Sequence, residues 1–252
     1  METLQNLLNH RSIRKFQNKP VPDAMLNKIL EAAMRSATTG NMQLYSIIVT
    51  TNEENRKEIW EYHFKQNMIL QAPVVLTFCA DFNRFNTWCR QREAVPGYDN
   101  FLSFYTASID ALLAAQNAVV AAEDFGLGTC YLGTTTYMAH KFVDFFNLPE
   151  GVVPVTTVVM GFPDETPPLT DRLPLKGVVH YEKYKPYQQN DIDEIYREKE
   201  ALSETKQLLI ENDLETLAQI FTQKRYSHKD NLTFSKLFLD VINNQGFMNN
   251  EE

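Results

Sequence analysis

The segment 107–125 (ASIDALLAAQNAVVAAEDF) constrains the fold most, because its pattern is helical and nearly all of its sides are apolar. A helix of this kind has no face suited to water, so it must be buried on all sides. In a chain of 252 residues, this places it at the centre of the fold or at a subunit interface. Gly126 and Gly128 follow it directly, which is typical of a helix C-cap.

Four short apolar runs predict buried strands around this helix. They cover residues 46–51, 74–80, 129–134 and 155–161. Further helices are expected at 23–34, with Asp23 as the N-cap, and at 60–70. A short helix starting at Thr3 would carry Leu4, Leu7 and Leu8 on one face. Helices and strands therefore alternate, which predicts a mixed fold class.

The composition changes after about residue 180. Residues 181–252 are rich in Glu, Lys, Gln and Asn, and their apolar residues are sparse. We interpret this tail as helical arms packed on a core formed by residues 1–180, within a single domain overall.

Charge and cysteine content exclude several function classes. The chain has 24 Lys and Arg against 32 Asp and Glu, a net charge of −8, which disfavours a general nucleic-acid binder. Its three cysteines form no C-x-x-C motif, so no zinc or other metal site is expected. The N-terminus has no secretory pattern and no apolar run reaches membrane-spanning length, which together predict a soluble protein of the reducing cytosol.

Familiar catalytic and nucleotide motifs are missing. Gly126-Leu127-Gly128 begins like a dinucleotide fingerprint, but the third glycine is absent and the segment joins a helix to a strand, the reverse of the Rossmann order. No G-x-x-x-x-G-K-[ST] or G-x-S-x-G motif occurs. Cys79 lies in an apolar strand, and no histidine has a clear claim to pair with Cys130. We interpret His63, His140, His180 and His228 as packing or surface residues.

Two polar segments are candidates for ligand binding. His10-Arg11-Ser12-Ile13-Arg14 gathers two guanidinium groups and a hydroxyl beside a helix end, which suits a phosphate group. Taken alone, a solvated basic turn is the simpler interpretation. Thr38 to Gln43 offers hydroxyl and amide groups that suit a planar heterocycle, or forms only a connecting loop.

Together, these segments resemble the nitroreductase family. The resemblance covers residues 1 to about 180 and rests on HRSIRKF, VPDAMLNKILEAA, SATTGNMQLYSIIV, AAQNAVVAAEDFGLGTCYLG and VVMGFPDETPPLTDRLPL. CADFNR at 79–84, AAQNA at 114–118 and the segment 224–247 are similar to the NADPH-preferring nitroreductase/flavin reductase branch with a C-terminal helical extension.

The resemblance implies an α+β fold with a central antiparallel-rich sheet, and two interlocked subunits that each bind one FMN at their interface. It implies cofactor contacts by His10, Arg11, Ser12, Ile13, Arg14, Thr38, Gln66, Tyr131, Leu132, Gly133, Thr134, Thr170 and Arg172. Two departures stand out. Thr170 replaces a lysine of close relatives, and Thr136 stands where relatives can carry an arginine near the substrate entrance.

The implied activity is electron transfer from NADPH or NADH through FMN to nitroaromatic, quinone or flavin acceptors. The flavin would perform the chemistry, so no protein acid, base or nucleophile is assigned. Lys224 and Arg225 fall where such relatives carry basic residues for NADPH, although two solvated side chains explain them equally well. The alternatives are a same-fold FMN enzyme with a different reaction and a non-catalytic flavin-binding protein.

Overall fold

The structure, a computed structural model, describes residues 3–250, which contain eleven α-helices and one four-stranded antiparallel sheet. The strands are β1 (Tyr45–Thr50), β2 (Val74–Asp81), β3 (Gly128–Leu132) and β4 (Val152–Gly161). The helices before β3 are α1 (Thr3–Leu8), α2 (Asp23–Ala33), α3 (Glu53–Tyr62), α4 (Met68–Gln71), α5 (Asn83–Arg90) and α6 (Phe101–Asp124). Later helices are α7 (Ala139–Phe145), α8 (Gln189–Ala201), α9 (Ser203–Asn212), α10 (Leu217–Gln219) and α11 (His228–Asn244), and a π-helical turn at Ile220–Arg225 extends α10. The α+β prediction is confirmed.

The sheet has the strand order β1-β2-β4-β3, and every neighbouring pair is antiparallel. Strands β2 and β4 are its central pair and are almost wholly buried. Continuous apolar runs are what a strand needs when both faces are covered, which explains why the sequence pattern marked them. The predicted antiparallel-rich sheet is therefore confirmed.

Helix α6 packs small side chains on this sheet. Its buried alanines are Ala107, Ala111, Ala114, Ala115, Ala118 and Ala122. They join Leu76, Phe78, Val158 and Met160 in one apolar cluster. Small residues allow the helix axis to lie close to the strands, and a larger side chain here would overpack the core.

The opposite face of α6 carries large apolar side chains that remain exposed in the single chain. They are Leu102, Tyr105, Ile109, Leu112 and Leu113. Helix α1 likewise exposes Leu4, Leu7 and Leu8, while Asn6 is buried and donates from Nδ2 to the carbonyl of Val120 at 3.0 Å. Burial of the alanine face agrees with the central-helix interpretation of α6, and the interface interpretation of its other face stays a prediction.

Local details differ from several sequence predictions. Pro22 is the N-cap of α2 and Asp23 is its first helical residue, so the predicted cap is one residue too late. The single helix predicted at 60–70 is wrong, since Phe64 and Lys65 adopt positive φ values of 51° and 59° and separate α3 from α4. Helix α6 begins at Phe101, earlier than the predicted position, whereas Gly126 has the positive φ of 77° expected after a helix end.

Two compact units divide the chain. One extends to Pro168 and resumes at Phe234, and the other comprises Leu169–Thr233. This division by packing differs from the division by composition at residue 180. In the first unit, Phe247 is buried with Phe82 and Phe104, and Gln245 donates from Nε2 to the carbonyl of Pro149 at 3.0 Å.

The second unit contains α8, α9, α10 and the π-helical turn. Few of its described residues are buried: Ile195, Thr205, Leu217 and Ile220. Lys199 Nζ lies 2.7 Å from Asp171 Oδ2 in a half-exposed ion pair. Among the helices of residues 3–250, none combines the length and apolar character required to cross a membrane.

Candidate functional site

The basic loop at residues 10–15 is fixed against β3. Ile13 donates its backbone N–H to the carbonyl of Thr129 at 2.8 Å, and Ser12 forms a parallel bridge with the same residue. A Cβ on Gly128 would lie 2.6 Å from the side chain of Ile13, so only glycine permits this approach. The sequence therefore holds the loop backbone in place before any ligand binds.

Carboxylates also hold this loop. The backbone N–H groups of Arg14 and Lys15 donate to Glu165 Oε1 at 2.6 and 3.1 Å. His10 Nδ1 lies 2.6 Å from Glu123 Oε1, which also accepts from the Thr129 hydroxyl at 3.0 Å. These contacts use backbone groups and an imidazole, so they leave the arginine side chains of the loop for other partners.

The arginines of the loop differ in their surroundings. Arg11 Nη1 donates to the carbonyl of Pro167 at 3.0 Å, and Arg11 lines a cleft of about 260 Å³ together with Glu123 and Glu165. The Arg14 side chain is exposed. The loop thus presents one hydrogen-bonded and one exposed guanidinium group with the Ser12 hydroxyl between them in sequence, a donor set that suits a phosphate group.

A buried carboxylate organises the predicted segment at Thr38. Asp110 on α6 accepts from the Thr38 hydroxyl at 2.5 Å and from the backbone N–H groups of Thr39 and Leu44 at 3.0 and 3.2 Å. Thr38 Oγ1 in turn accepts from the backbone N–H of Gln43 at 2.8 Å. The Thr38 hydroxyl is therefore engaged within the protein, where it fixes the shape of this loop.

The Thr134 hydroxyl contacts the side chains of both Gln66 and His63. Gln66 Nε2 donates to Thr134 Oγ1 at 3.3 Å, and His63 Nδ1 lies 2.7 Å from the same oxygen. The His63 ring is fully buried, and this burial lowers its pKa to about 3. His63 is therefore neutral at physiological pH, and the structure brings the predicted residues Gln66 and Thr134 together beside this buried histidine.

The predicted segment Tyr131 to Thr134 begins on β3 and ends in a short 3₁₀ turn, Gly133–Thr135. The Tyr131 hydroxyl donates to Gln116 Oε1 at 3.3 Å, and burial raises its pKa. Leu132 is buried, whereas nothing lies within 4 Å of a Cβ placed on Gly133. The end of β3 therefore leaves open space at Gly133.

The surroundings of the two buried cysteines do not stabilise a thiolate. Cys79 and Cys130 are both buried, and burial raises the pKa of each thiol. Ser12 and Arg14 favour the Cys130 thiolate, but desolvation outweighs them. Both thiols thus remain protonated at neutral pH, and all three cysteines are unpaired. The described residues also contain no cluster of His, Cys, Asp or Glu that could bind a metal ion.

The remaining predicted residues belong to the second unit. Thr170 and Arg172 are exposed, and Arg172 Nη1 donates to the carbonyls of Thr170 and Asp171 at 3.3 and 3.0 Å. Lys224 and Arg225 end the π-helical turn and are also exposed, with the Arg225 guanidinium 5.4 Å from the centre of the Phe221 ring. All four side chains face solvent within their own unit.

Four residues with organising contacts were absent from the predicted site: His63, Asp110, Glu123 and Glu165. Of these four, Asp110 could have been identified from the sequence, because it is the only charged residue between positions 107 and 122 of an otherwise largely apolar helix. A buried charge requires partners, so its isolation alone predicts a structured contact. The glutamates resemble ordinary surface residues in the sequence.

The fold and these loops define an α+β protein whose basic, amide and hydroxyl groups surround the start and end of one strand. The chain belongs to the nitroreductase family, whose model ("Nitroreductase family") matches residues 7–162. FMN reductase [NAD(P)H] of Bacillus subtilis (strain 168) is 34% identical over 188 residues, covering 73% of this chain and 74% of that protein. Oxygen-insensitive NADPH nitroreductase of Salmonella typhimurium is 33% identical, covering 73% and 75%.

Solved structures agree with the fold. A structure from Bacteroides fragilis NCTC 9343 has 48% identity and a TM-score of 0.96, covering 97% of this chain and all of that chain. The NADPH:FMN oxidoreductase of Vibrio harveyi complexed with NAD⁺ has 27% identity and a TM-score of 0.83, covering 97% and 98%. The predicted nitroreductase-like fold is thereby confirmed.

Proposed function

We propose that this chain is an FMN-dependent NAD(P)H oxidoreductase that acts on nitroaromatic, quinone or flavin acceptors. The observation that carries the proposal is the fixed basic loop beside β3, in a chain whose relatives include FMN reductases and NADPH nitroreductases. When bound, FMN would accept hydride from NAD(P)H and pass electrons to a second substrate in the same pocket.

The residues present fit this cofactor. Arg11, Ser12 and Arg14 supply cationic and hydroxyl donors on one loop, the donor set that a phosphate requires. Gln66 and Thr134 supply an amide and a hydroxyl, and Gly133 leaves space at the end of β3. We assign phosphate binding to the first group and contact with the flavin ring to Gln66 and the segment 131–134. Thr170 and Arg172 are proposed as additional contacts from the second unit.

The protein groups near this site support a binding role rather than proton transfer. Neutral His63 and the protonated Cys130 thiol offer neither a strong base nor a nucleophile at pH 7. The chain would therefore bind the cofactor, orient its ring and leave one face open to each substrate in turn. We further propose that it works in a reducing cytosol, which three free thiols support.

The visible spectrum of the purified protein tests the proposal. We expect a flavin spectrum that bleaches on anaerobic addition of NADPH and recovers when a nitroaromatic compound or a quinone is added. A flavin that binds but does not bleach would indicate a non-catalytic binding protein. Bleaching without recovery with any of these acceptors would indicate a same-fold enzyme with another reaction.

We also propose an obligate homodimer. The support is the exposed apolar face of α6 and the exposed leucines of α1, since contiguous apolar surface of this kind marks interfaces. Leu112→Glu on α6 should shift the protein from dimer to monomer in sedimentation velocity and release FMN. Leu239→Glu on α11 is the matched control, because Leu239 and Leu112 are 47% and 45% exposed. A folded wild-type monomer that retains FMN would contradict this assembly.

NADPH is the proposed electron donor, with NADH as the alternative. Residues 181–252 would act as a helical extension of the core 1–180, and Lys224 and Arg225 would meet the 2′-phosphate of NADPH. Their exposure within the second unit supports access by a ligand.

A further inference from the structure

The contacts of the Thr134 hydroxyl determine what it can offer to a ligand. A threonine hydroxyl has one proton to donate and two lone pairs to accept. Gln66 Nε2 lies 3.3 Å from Thr134 Oγ1 and can only donate, so it occupies one lone pair. The second contact, His63 Nδ1 at 2.7 Å, is either a donor or an acceptor according to the tautomer of the ring.

The other ring nitrogen of His63 distinguishes these tautomers. His63 Nε2 is buried without a hydrogen-bond partner among the described residues, and the ring lies against Phe142 with centroids 5.1 Å apart. If Nδ1 accepted the threonine proton, the neutral ring would carry its own proton on Nε2, as a buried N–H without an acceptor. Such orphaned N–H groups are rarer in proteins than unpaired acceptors. Burial thus favours the proton on Nδ1.

We propose that His63 is a positioning residue that donates from Nδ1–H to Thr134 Oγ1 and so leaves the Thr134 proton free to donate to the bound flavin ring. This inference rests on the proposed function, since it takes the ligand to be FMN. Both lone pairs of the hydroxyl are then occupied by Gln66 and His63. The hydroxyl can serve a ligand only as a donor, so it selects an acceptor atom on the ring edge.

The low pKa of His63 keeps this arrangement constant across the physiological range. A doubly protonated ring would donate from both nitrogens, and burial disfavours that form. The 3₁₀ turn at Gly133–Thr135 fixes the backbone of Thr134, and the Thr135 hydroxyl donates to the carbonyl of Leu132 at 2.9 Å. The hydroxyl is therefore positioned from both its backbone and its side chain.

The tautomer is measured directly, in the purified protein, by ¹⁵N and ¹³C chemical shifts of the histidine rings. We expect the Nδ1–H form for His63, with and without added FMN, at pH 7. A ring protonated on Nε2 would overturn the proposal, because the Thr134 hydroxyl would then donate its hydrogen bond to His63 Nδ1 and would have no proton left for a ligand. This measurement does not depend on FMN binding, so it remains decisive if the proposed cofactor is wrong.

Variants test the consequence for FMN. Thr134→Val should raise the FMN dissociation constant about 3- to 10-fold, as expected for one neutral hydrogen bond, whereas Thr134→Ser should stay within about 2-fold. His63→Leu should weaken binding and shift the midpoint potential of the bound flavin. His63→Asn, which retains a donor, should restore most of both properties. His140→Asn is the matched control, because His140 Nδ1 is also buried without a partner but lies outside this contact.

The outcomes separate the two proposals. If the wild type binds no FMN, the proposed function fails while the tautomer measurement still tests the His63–Thr134 contact. If FMN binds but Thr134→Val and His63→Leu behave like His140→Asn in affinity and potential, the positioning role of His63 is refuted. Where His63→Leu does not fold, Thr134→Val and the chemical shifts decide.

Discussion

The predicted ligand-binding residues of the two units differ in how they are held. In the first unit, Glu165, Asp110 and His63 hold the loop at 10–15, the loop at 38–44 and the Thr134 hydroxyl through short hydrogen bonds. In the second unit, Arg172 donates to the neighbouring carbonyls of Thr170 and Asp171, and the Lys224–Arg225 pair is exposed.

This difference sets what each group can contribute to binding. A side chain or loop that is already ordered loses little conformational entropy when a ligand arrives, whereas immobilising an exposed long side chain costs about 0.5–1.5 kcal/mol. We therefore expect the first unit to determine whether the cofactor is recognised. The second unit should contribute exposed charged side chains that adjust the affinity for the cofactor and the preference for the electron donor.

The largest effect is expected for Asp110→Ala in the first unit. The change leaves the part-buried N–H group of Thr39 and the buried N–H group of Leu44 without this acceptor, which at about 1–3 kcal/mol each lowers the free energy of unfolding by about 2–6 kcal/mol. Chemical denaturation of the apoprotein measures this loss. Asp144→Ala, at an exposed position on α7, should change stability by less than about 0.5 kcal/mol. Equal losses of stability for Asp110→Ala and Asp144→Ala would mean that Asp110 does not hold the loop at 38–44.

Acid should destabilise the first unit through His63. Its pKa is about 3 in the folded protein and 6.5 in the unfolded chain, so below pH 6.5 the unfolded state binds a proton that the folded state excludes. The contribution of neutral His63 is complete above pH 6.5. It is lost as pH falls towards 3, at about 1.4 kcal/mol per pH unit.

Denaturation of the wild type and of His63→Asn at pH 7.0 and 4.5 tests this slope. The wild type should lose roughly 2–3 kcal/mol more than the variant over this interval. Parallel losses in the two proteins would mean that His63 is not the group responsible.

Arg172→Ala tests whether the second unit takes part in cofactor binding. Because the family resemblance implies a lysine where this chain has Thr170, we expect a 10- to 150-fold rise in the FMN dissociation constant, the range of about 1.5–3 kcal/mol for a charge-assisted hydrogen bond. Arg197→Ala, at an exposed arginine of α8, is the control. A change below about threefold in an FMN titration would exclude Arg172 from the site.

The smallest effect is expected for Lys224→Ala/Arg225→Ala. Exposed ion pairs contribute about 0.2–1 kcal/mol, so the preference for NADPH over NADH in kcat/KM should fall about 1.5- to 5-fold. The effect should weaken at high salt, since exposed charges are screened over about 8 Å at physiological ionic strength. Lys183→Ala/Lys185→Ala provides a matched exposed pair in the same unit. An unchanged preference in the first double variant would mean that these residues do not contact the phosphate.

The parts of the fold that were predictable are those with continuous apolar patterns. The strands around Ile47, Leu76 and Val158 and the helix α6 bury long apolar runs, so the pattern located them. The break between α3 and α4 was not predictable, because it depends on positive φ at Phe64 and Lys65, where no glycine marks it.

The candidate site was predictable in its residue types but not in its contacts. The resemblance alone predicts Gln66 and Thr134 as site residues. Only the fold shows that Gln66 and His63 both contact the Thr134 hydroxyl. Long-range partners such as Glu165, some 150 positions from Arg14, have no local pattern that could identify them. Single residues with an unusual setting, such as Asp110 in an apolar helix, were the signal available to sequence reasoning.

The return of the chain to the first unit at Phe234 has a consequence for its synthesis. The cluster around Phe82 and Phe104 is completed by Val241, Ile242 and Phe247, near the C-terminus. After Pro168 emerges, roughly 80 further residues must be added, which takes about 4–16 s at 5–20 residues per second. During that interval the nascent chain carries an apolar face that helix α11 has yet to cover. Growing chains of this protein thus have a window in which chaperone binding and aggregation compete, and it closes only after α11 and Phe247 have emerged.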